Sequence, residues 1–506
     1  MSDDDFEDEY EYEYEYEYEA DRPATSRNPT VPKPLRQHTF THPMKVPRIL
    51  LSLIFAVPLL TPAAEPPAST ERPNIIFLLT DDMGYGDTGC YGGNFAPTPN
   101  IDHLCKEGTR FQQYYVDAPL CSPSRTALLT GMFPARWNIT NYLQTRAGNR
   151  ASECADFLDP KAPSIARVLK AAGYATGHFG KWHMGGGRDV KDAPKFSEYG
   201  FDEHVSTWES PEPDPEITSS NWIWAPTDNV KRWDRTRYFI DKALDFLARH
   251  KGEPCYVNVW PDDVHTPWVP SQARLAEYPE GPSGPEDKRS FSAVLDEYDR
   301  QVGRLLEGLE QLGLEEKTIL IFSSDNGPLP SFKRARTAGL RGSKDSLYEG
   351  GIREPFIVRW PGHVEAGRFD EKTVIHGADL FPTLCSFARA ALPAGVPFDG
   401  EDMSPAILGK EQTRQRPIFW EYGRNNNKAF GYPGGKDRSP NVAMREGKWK
   451  LLVNADGSDC QLYDLDVDPH EATDLANSQP DVAARLRQMT LDWRKSLPVL
   501  AGSTKE

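Results

Sequence analysis

Four short apolar runs constrain the fold of this chain, because each leads directly into polar residues. The runs cover residues 74–79, 174–179, 256–260 and 318–322. Continuous apolar runs of this length indicate strands buried on both faces, as in a parallel sheet. Ligands bind to such sheets at the C-terminal ends of the strands. The sequence therefore predicts an α/β fold in which the four polar segments meet in one crevice.

Two of these runs are followed by pairs of oxygen-bearing side chains. Asp81 and Asp82 follow the first run, and Asp325 and Asn326 follow the fourth. Carboxylate and amide oxygens suit a hard cation such as calcium or magnesium. Neighbouring acids after a strand also occur as helix caps and in solvated turns, so the residues alone leave both interpretations open.

The segment 121–131, which reads CSPSRTALLTG, predicts the first turns of a short helix. Pro123 suits the first helical position, and Gly131 is a natural stop. Cys121 would then lie where unpaired N–H groups face outward, with Arg125 one turn along on the same face. A cysteine in that environment is primed for reaction. The alternative is a buried cysteine that begins an ordinary helix.

This segment resembles the signature of the type I sulfatases at every defined position. Three further tracts are similar to that family, namely LLTDDMGYGD (78–87), FSSDNG (322–327) and LRGSK (340–344). The resemblance covers most of the chain from about residue 72. It is strongest to the branch that holds arylsulfatase A and N-acetylgalactosamine-6-sulfatase.

The resemblance implies an α/β fold of the alkaline-phosphatase-like kind, with a large mixed central sheet between helices. It implies a catalytic sulfatase domain over residues 72–404 and a smaller α+β domain over residues 405–506, built on a four-stranded antiparallel sheet. In the second domain, residues 442–453 alternate as in an antiparallel strand, and residues 481–496 read as a closing amphipathic helix.

The resemblance also implies the cofactors. Cys121 would be oxidised to 3-oxoalanine (formylglycine) by a formylglycine-generating enzyme, and the hydrate of this aldehyde would attack sulfur. One calcium ion (Ca2+) would be held by five residues, namely Asp81, Asp82, Cys121 through its formylglycine oxygen, Asp325 and Asn326.

Six residues are expected to be catalytic: Cys121, Arg125, Lys181, His183, His265 and Lys344. Imidazoles titrate near working pH, and fixed cations stabilise charge that develops on a departing oxygen. By resemblance, His265 with Lys344 would protonate that oxygen. His183 would take the proton from the second hydroxyl of the diol, so that sulfate is expelled. Arg125 and Lys181 would orient the diol.

The first 64 residues read as segments outside the fold. Residues 1–43 form an acidic low-complexity tail that is expected to be disordered and is suspected to be a gene-model artefact. Residues 44–64 have the layout of a signal peptide, in which two basic residues precede an apolar stretch and small residues form the cleavage site. The alternative is an uncleaved membrane anchor. We therefore expect export to the periplasm or secretion from a bacterium.

The net charge limits the classes of molecule that this protein can bind, and the cysteine content bears on its location. The net charge is −17, of which residues 1–43 contribute −8, so the remainder is only mildly acidic. We expect no nucleic acid and no stable membrane partner, and an anionic substrate would need a local cationic pocket. Seven cysteines fit an exported protein. With Cys121 set aside, six remain for up to three disulfides.

Two segments allow two interpretations each. Residues 205–233 form a long loop rich in proline, serine and tryptophan, and Trp208, Trp222 and Trp224 could stack on sugars or cover the core. Residues 333–336, KRAR, read equally well as a basic rim for a sulfated polymer and as a solvated loop.

The expected function is hydrolysis of a sulfate ester on a carbohydrate or an aryl group. The nearest alternative is a phosphonate or phosphate ester hydrolase of the same superfamily. A non-catalytic glycan-binding relative and a hydrolase that uses the unmodified thiol are the remaining alternatives.

Overall fold

The computed structural model describes residues 72–220, 222–279, 287–423 and 435–499. The predicted acidic tail (1–43) and signal peptide (44–64) lie outside these residues. No helix in the described ranges combines the length and the apolar character needed to cross a membrane.

An eight-stranded sheet forms the centre of the described structure. Its strands are β1 (Asn74–Thr80), β2 (Thr109–Tyr115), β3 (Ala175–Gly180), β4 (Glu203–Ser206), β5 (Cys255–Trp260), β6 (Thr318–Ser324), β7 (Phe356–Arg359) and β8 (Arg368–His376). They lie in the order β4-β3-β5-β1-β6-β7-β2-β8, and β7 runs antiparallel to both of its neighbours. The four predicted runs are β1, β3, β5 and β6, which are adjacent and parallel. The mixed sheet is therefore confirmed.

Burial on both faces explains why these strands are apolar throughout. Along β1, Ile75 and Phe77 pack into one hydrophobic core, whereas Ile76 and Leu78 pack into another. Successive side chains of a strand point to opposite faces, so a strand covered on both sides needs an unbroken apolar run.

Helices cover both faces of the sheet. Among the described residues they are α1 (Pro99–Glu107), α2 (Cys121–Thr130), α3 (Arg146–Ala151), α4 (Ile165–Ala171), α5 (Arg235–Arg249), α6 (Gln272–Leu275), α7 (Lys288–Leu312), α8 (Glu349–Ile352), α9 (Leu380–Ala388), α10 (Ser404–Ile407) and α11 (Pro480–Ser496). Apolar residues of α1, α5 and α7 share one core, and those of α2, α4 and α9 share the other.

A second sheet follows near the C-terminus. It is antiparallel, in the order β12-β11-β10-β9, and consists of β9 (Ile418–Glu421), β10 (Val442–Glu446), β11 (Trp449–Val453) and β12 (Gln461–Asp464). The single strand predicted over residues 442–453 is wrong: β10 and β11 form a hairpin that turns at Gly447, where φ is +57°. The described residues belong to one compact unit, and the domain boundary near residue 405 stays a prediction.

Five of the six cysteines that were available for disulfides are thiols: Cys90, Cys105, Cys255, Cys385 and Cys460. The described structure therefore holds none of the three bridges that the six could form. Cys90 and Cys105 are nevertheless close enough for their side chains to form a hydrogen bond.

A buried ion cluster joins the second sheet to the rest of the protein. Lys450 of β11 lies 2.9 Å from both Glu349 of α8 and Glu471, and all three side chains are fully buried. The Tyr115 hydroxyl donates to Glu349 at 2.7 Å. Burial raises the pKa of Glu471 to about 7, and burial would also raise that of Glu349, but Lys450 holds it below its usual value. Lys450 thus compensates Glu471, and it shares the compensation of Glu349 with Arg353, 3.5 Å away.

Replacing Lys450 with methionine would leave Glu471 buried without its cation and Glu349 with Arg353, 3.5 Å away, as its remaining ion-pair partner. We expect Lys450→Met to lower the free energy of unfolding by about 3–5 kcal/mol, measured by urea denaturation. Lys448→Met is the control, because Lys448 pairs with Asp464 on the same hairpin but its side chain is 45% exposed. That variant should lose no more than about 1 kcal/mol. Equal losses in the two variants would contradict the prediction.

Candidate active site

The polar ends of β1, β3, β5 and β6 meet at one edge of the sheet, as the sequence predicts. A cavity of about 220 Å³ opens there, and six of the predicted residues line it, namely Asp81, Cys121, Lys181, His183, His265 and Lys344. The other predicted residues, Asp82, Arg125, Asp325 and Asn326, are buried beside them with at most 1% of their surface exposed. The structure thus brings all ten predicted site residues together.

Cys121 is the first residue of α2, so the helix begins two positions before Pro123, where the sequence predicted its start. Its end at Gly131 is as predicted. The Cys121 Sγ lies 3.5 Å from Asp81 Oδ1 and 3.5 Å from Lys181 Nζ. Burial raises the pKa of the thiol well above its usual value, although Lys181 opposes this. The unmodified thiol is therefore protonated rather than activated, contrary to the expectation from the helix N-terminus.

Each of three buried carboxylates pairs with a buried cation: Asp81 with Lys181 at 2.8 Å, Asp82 with Lys344 at 2.7 Å and Asp325 with Arg125 at 2.7 Å. Burial alone would raise the pKa of Asp81 and Asp82, but the neighbouring cations outweigh it and hold both values low. Burial and the charge of Asp81 raise the pKa of Asp325 to about 6. The pairing matters because an isolated buried charge costs several kcal/mol.

The donor set of this cluster fits a hard cation. Asn326 Nδ2 donates to Asp82 Oδ1 at 2.7 Å, whereas Asn326 Oδ1 is buried and accepts no hydrogen bond from the residues that the structure describes. An unsatisfied buried acceptor costs about 1–3 kcal/mol, which a bound cation would relieve. Ligand atoms within 4.8 Å of one another are supplied by Asp81, Asp82, Cys121 and His265. Of these four, Asp81 and Asp82 offer carboxylate oxygens, which are typical ligands of calcium.

His265 lies beside Lys344 at the edge of this cluster. Its Nδ1 is 2.5 Å from the Thr266 carbonyl oxygen, so Nδ1 carries a proton and donates it in a hydrogen bond. Its Nε2 is then the acceptor that faces Lys344 Nζ at 3.2 Å. Burial and the charge of Lys344 lower the pKa of His265, while Asp82 raises the pKa of Lys344 despite burial. Lys344 therefore holds the transferable proton of this pair.

His183 lies on the other side of the cavity, in a left-handed backbone conformation with φ +53°. Its Nε2 is 2.9 Å from the Leu143 carbonyl oxygen and donates to it. Its Nδ1 is buried and has no hydrogen-bond partner among the described residues. Burial, aided by Lys181 and Arg188, lowers the pKa of His183 to about 3, although Glu209 opposes this. The ring is neutral, with a bare nitrogen that can accept a proton.

Sequence reasoning does not single out Glu209, which the structure places at the centre of the polar contacts around His183. Its carboxylate lies 3.3 Å from His183 Nε2, 3.9 Å from Lys181 Nζ and 3.2 Å from Arg188 Nη2. The one available signal was an acidic residue inside the long loop predicted over residues 205–233. Only the tertiary structure shows that this loop returns to the site.

Trp208 of that loop is buried and also borders the cavity, so its packing against a sugar stays a prediction. It is 4% exposed and lines the cavity, and the Arg188 guanidinium lies 4.5 Å from its ring centroid. Trp222 is 43% exposed, with its ring centroid 5.9 Å from that of Trp208. An aromatic surface thus extends from the cavity to solvent.

Comparisons with known proteins identify the family of this chain. The sulfatase family model matches residues 73–390, and a model described as N-sulphoglucosamine sulphohydrolase, C-terminal, matches residues 343–495. The N-acetylgalactosamine-6-O-sulfatase of Bacteroides thetaiotaomicron is 30% identical over 492 residues, which cover 83% of this chain and 93% of that protein. Human arylsulfatase A is 31% identical over 483 residues, which cover 84% of this chain and 88% of that protein.

A solved structure gives the same result for the fold. It comes from work on glycosaminoglycan metabolism by Bacteroides thetaiotaomicron, and it superimposes with a TM-score of 0.69 at 26% identity. The superposition covers 84% of this chain and 100% of that one. The alkaline-phosphatase-like fold is therefore confirmed. Because the sulfatase model spans more than half of the chain, the protein belongs to the sulfatase family and is an enzyme that hydrolyses sulfate esters.

Proposed function

We propose that this sulfatase releases inorganic sulfate from a sulfated carbohydrate or an aryl sulfate, with formylglycine made from Cys121 as nucleophile and one calcium ion beside it. The observation that carries the proposal is the position of Cys121 between a cluster of buried oxygen ligands and two lysines, Lys181 and Lys344. A sulfate ester is a compact anion that gains negative charge on its bridging oxygen as it breaks. Preorganised cations in a buried site stabilise that charge.

The protonation of Cys121 supports the modified residue over the unmodified thiol. A buried thiol with a raised pKa is a weak nucleophile, since the thiolate is the reactive form. Once formed, the hydrated aldehyde supplies one hydroxyl for attack on sulfur and a second hydroxyl whose deprotonation allows sulfate to leave. A formylglycine-generating enzyme is the maturation partner that this proposal requires.

Calcium would be held by the oxygens of the modified Cys121 and of four buried residues, namely Asp81, Asp82, Asp325 and Asn326. When bound, it would polarise a sulfate oxygen and offset the charge of the carboxylates. The unsatisfied Asn326 Oδ1 supports this ligand set.

Lys344 and His265 are proposed to serve the departing oxygen together. Lys344 holds a proton in a hydrogen bond to His265 Nε2, and the raised pKa of Lys344 keeps the ammonium charged. A proton given to the oxygen can come from the ammonium directly or through Nε2. The Thr266 carbonyl orients the ring for this step by holding Nδ1–H.

His183 is proposed as the base that removes the proton from the second hydroxyl. Its Nδ1 lone pair has no partner among the described residues, and Leu143 fixes the tautomer through Nε2. Lys181 contacts both Asp81 and Cys121, and Arg125 contacts the Lys181 carbonyl oxygen at 2.8 Å. Lys181 and Arg125 therefore orient the hydrated group.

The class of substrate follows from the relatives and from the cavity. The similar proteins are named for N-acetylgalactosamine 6-sulfate and for aryl sulfates. Trp208 and the exposed Trp222 offer aromatic surface against which a sugar ring can pack. We further propose that residues 44–64 direct export, which would bring the enzyme to sugar polymers outside the cell.

The test is product release from a panel of sulfated mono- and oligosaccharides, an aryl sulfate and an aryl phosphate. We expect sulfate release by enzyme made with a formylglycine-generating partner and supplied with calcium. Phosphate release without sulfate release would favour the phosphonate or phosphate ester hydrolase. The described part of the chain holds a single candidate metal cluster, which argues against a two-metal phosphatase site.

Cys121→Ala is expected to abolish sulfate release while leaving the fold and calcium binding largely intact. The reason is that no other residue supplies the aldehyde. Sulfate release and aldehyde labelling with a hydrazide probe measure the effect. Cys385→Ala is the control, because Cys385 is equally buried but lies in α9, away from the cavity. Full activity in Cys121→Ala would refute the mechanism.

Calcium removal is expected to lower the melting temperature, because the ion binds the folded state only. At a concentration one hundred times Kd, calcium would add about 2.7 kcal/mol of stability. Asn326→Leu removes the oxygen ligand and should lose most of the calcium-dependent shift. Asn229→Leu, at an exposed position, should retain it. The same shift in both variants would argue against Asn326 as a ligand.

Glu209→Gln is expected to lower kcat by about 10- to 100-fold, as for other residues that orient a reacting group. Glu209 favours the protonated form of His183, so its loss lowers the pKa of His183 further. A base acts when neutral, and the acid limb of the pH–rate profile should therefore move to lower pH. Glu212→Gln is the control, since Glu212 contacts His204 instead. An unchanged kcat and pH profile would exclude this role.

A further inference from the structure

A second cavity of about 360 Å³ lies beside the active site. Leu329 lines both cavities. Ser343 lines the second cavity, and the next residue, Lys344, lines the active-site cavity. The Lys344 N–H donates to the Pro328 carbonyl oxygen at 2.8 Å, which fixes the wall between the two. Because consecutive Cα atoms are about 3.8 Å apart, the two cavities are immediate neighbours.

Four of the residues that line this second cavity are basic and one is acidic. The basic residues are Lys333, Arg334, Arg336 and Lys436, and the acid is Asp437. Arg334 forms an ion pair with Asp437, and Arg336 is committed to Asp87 at 2.8 Å. Neither Lys333 nor Lys436 has a carboxylate partner within the ranges that the structure describes. We call this cavity, with its two uncompensated lysines, the basic pocket.

The backbone that presents Lys333 is fixed rather than free in solvent. Phe332, Lys333 and Arg334 all adopt left-handed conformations, with φ of +58°, +54° and +66°. Left-handed residues other than glycine are unfavourable and persist where packing holds them. Phe332 supplies that packing, with ring centroids 5.7 Å from both Trp268 and Phe291. This anchoring favours a basic rim over a solvated loop for residues 333–336.

We propose that the basic pocket binds a second anionic group, a sulfate or a carboxylate, on the sugar next to the one that loses its sulfate. The inference rests on the proposed function and specifies its substrate as an oligosaccharide with at least two anionic groups. Two uncompensated cations in a concave site attract an anion by long-range electrostatics and can form ion pairs with it once it is bound. The net charge of the chain is −17, so a polyanionic substrate gains attraction from local groups of cations such as this pocket rather than from the protein as a whole.

The experiment uses the matured full chain and four substrates with the same scissile sulfate. One is a monosaccharide, and three are disaccharides whose neighbouring sugar carries a second sulfate, a carboxylate or no charge. The variants are Lys333→Gln, Lys436→Gln and the double variant. Lys251→Gln is the matched control, because Lys251 is exposed in the turn before β5, at the opposite edge of the sheet.

We expect each pocket variant to lower kcat/KM about 3- to 10-fold for one or both charged disaccharides, through KM and with kcat unchanged. The monosaccharide and the uncharged disaccharide should not respond, and Lys251→Gln should behave as wild type. The disaccharide that responds identifies sulfate or carboxylate as the preferred group. Unchanged KM for both charged disaccharides, or equal losses on the uncharged one, would overturn the inference.

Calorimetry separates failure of the pocket from failure of the proposed function. Binding of both charged disaccharides is measured to Cys121→Ala protein with and without the two lysine substitutions. If the matured enzyme shows no turnover but the lysines still strengthen binding, the proposed function is refuted and the basic pocket is not. Binding that does not depend on the lysines would refute the basic pocket, whatever the turnover.

Discussion

Pairing of buried carboxylates with buried cations at one edge of the sheet is the interaction on which the site depends. Asp81 follows β1 and Lys181 follows β3, two positions away in the sheet, yet their charged atoms are 2.8 Å apart. Asp325 follows β6 and is held by Arg125 from α2. Either partner alone would be a buried charge that costs several kcal/mol. The cluster is therefore stable only when all of its members are present, and the strand order and the position of α2 bring them together.

This charge balance also sets where protons lie. Burial, aided by nearby cations, lowers the pKa of both histidines and keeps their rings neutral, while carboxylates raise the pKa of Lys181 and Lys344 and keep them protonated. The same burial raises the pKa of the Cys121 thiol, so the site as translated has charged lysines but no ionised nucleophile. Such a cavity attracts an anionic ester and yet lacks a group that attacks it. Oxidation of the cysteine is the change that would complete the chemistry.

Local signals in the sequence predicted the sheet edge well, because a strand covered on both faces requires a continuous apolar run. Predictions failed where the sequence carries no local signal. The residue before α2 is Leu120, whose side chain makes no capping bond, so the start of the helix was placed two residues late. The hairpin was read as one strand because only two residues, Gly447 and Lys448, separate β10 from β11. Glu209 was missed because the return of its loop to His183 depends on packing far from it in the chain.

Selectivity among sulfate esters must come from the loops around the cluster rather than from the cluster itself. In the proposed mechanism, the paired carboxylates and cations act on the ester group, which is the same in every sulfated sugar. The residues that differ in what they offer a substrate lie on two long segments, one with Trp208 and Glu209 and the other with Lys333. The first segment is held at the site by the contact of Glu209 with His183, and the second is held against the core by the contact of Phe332 with Trp268. Such loops can change the sugar that is read without disturbing the charge balance beneath them.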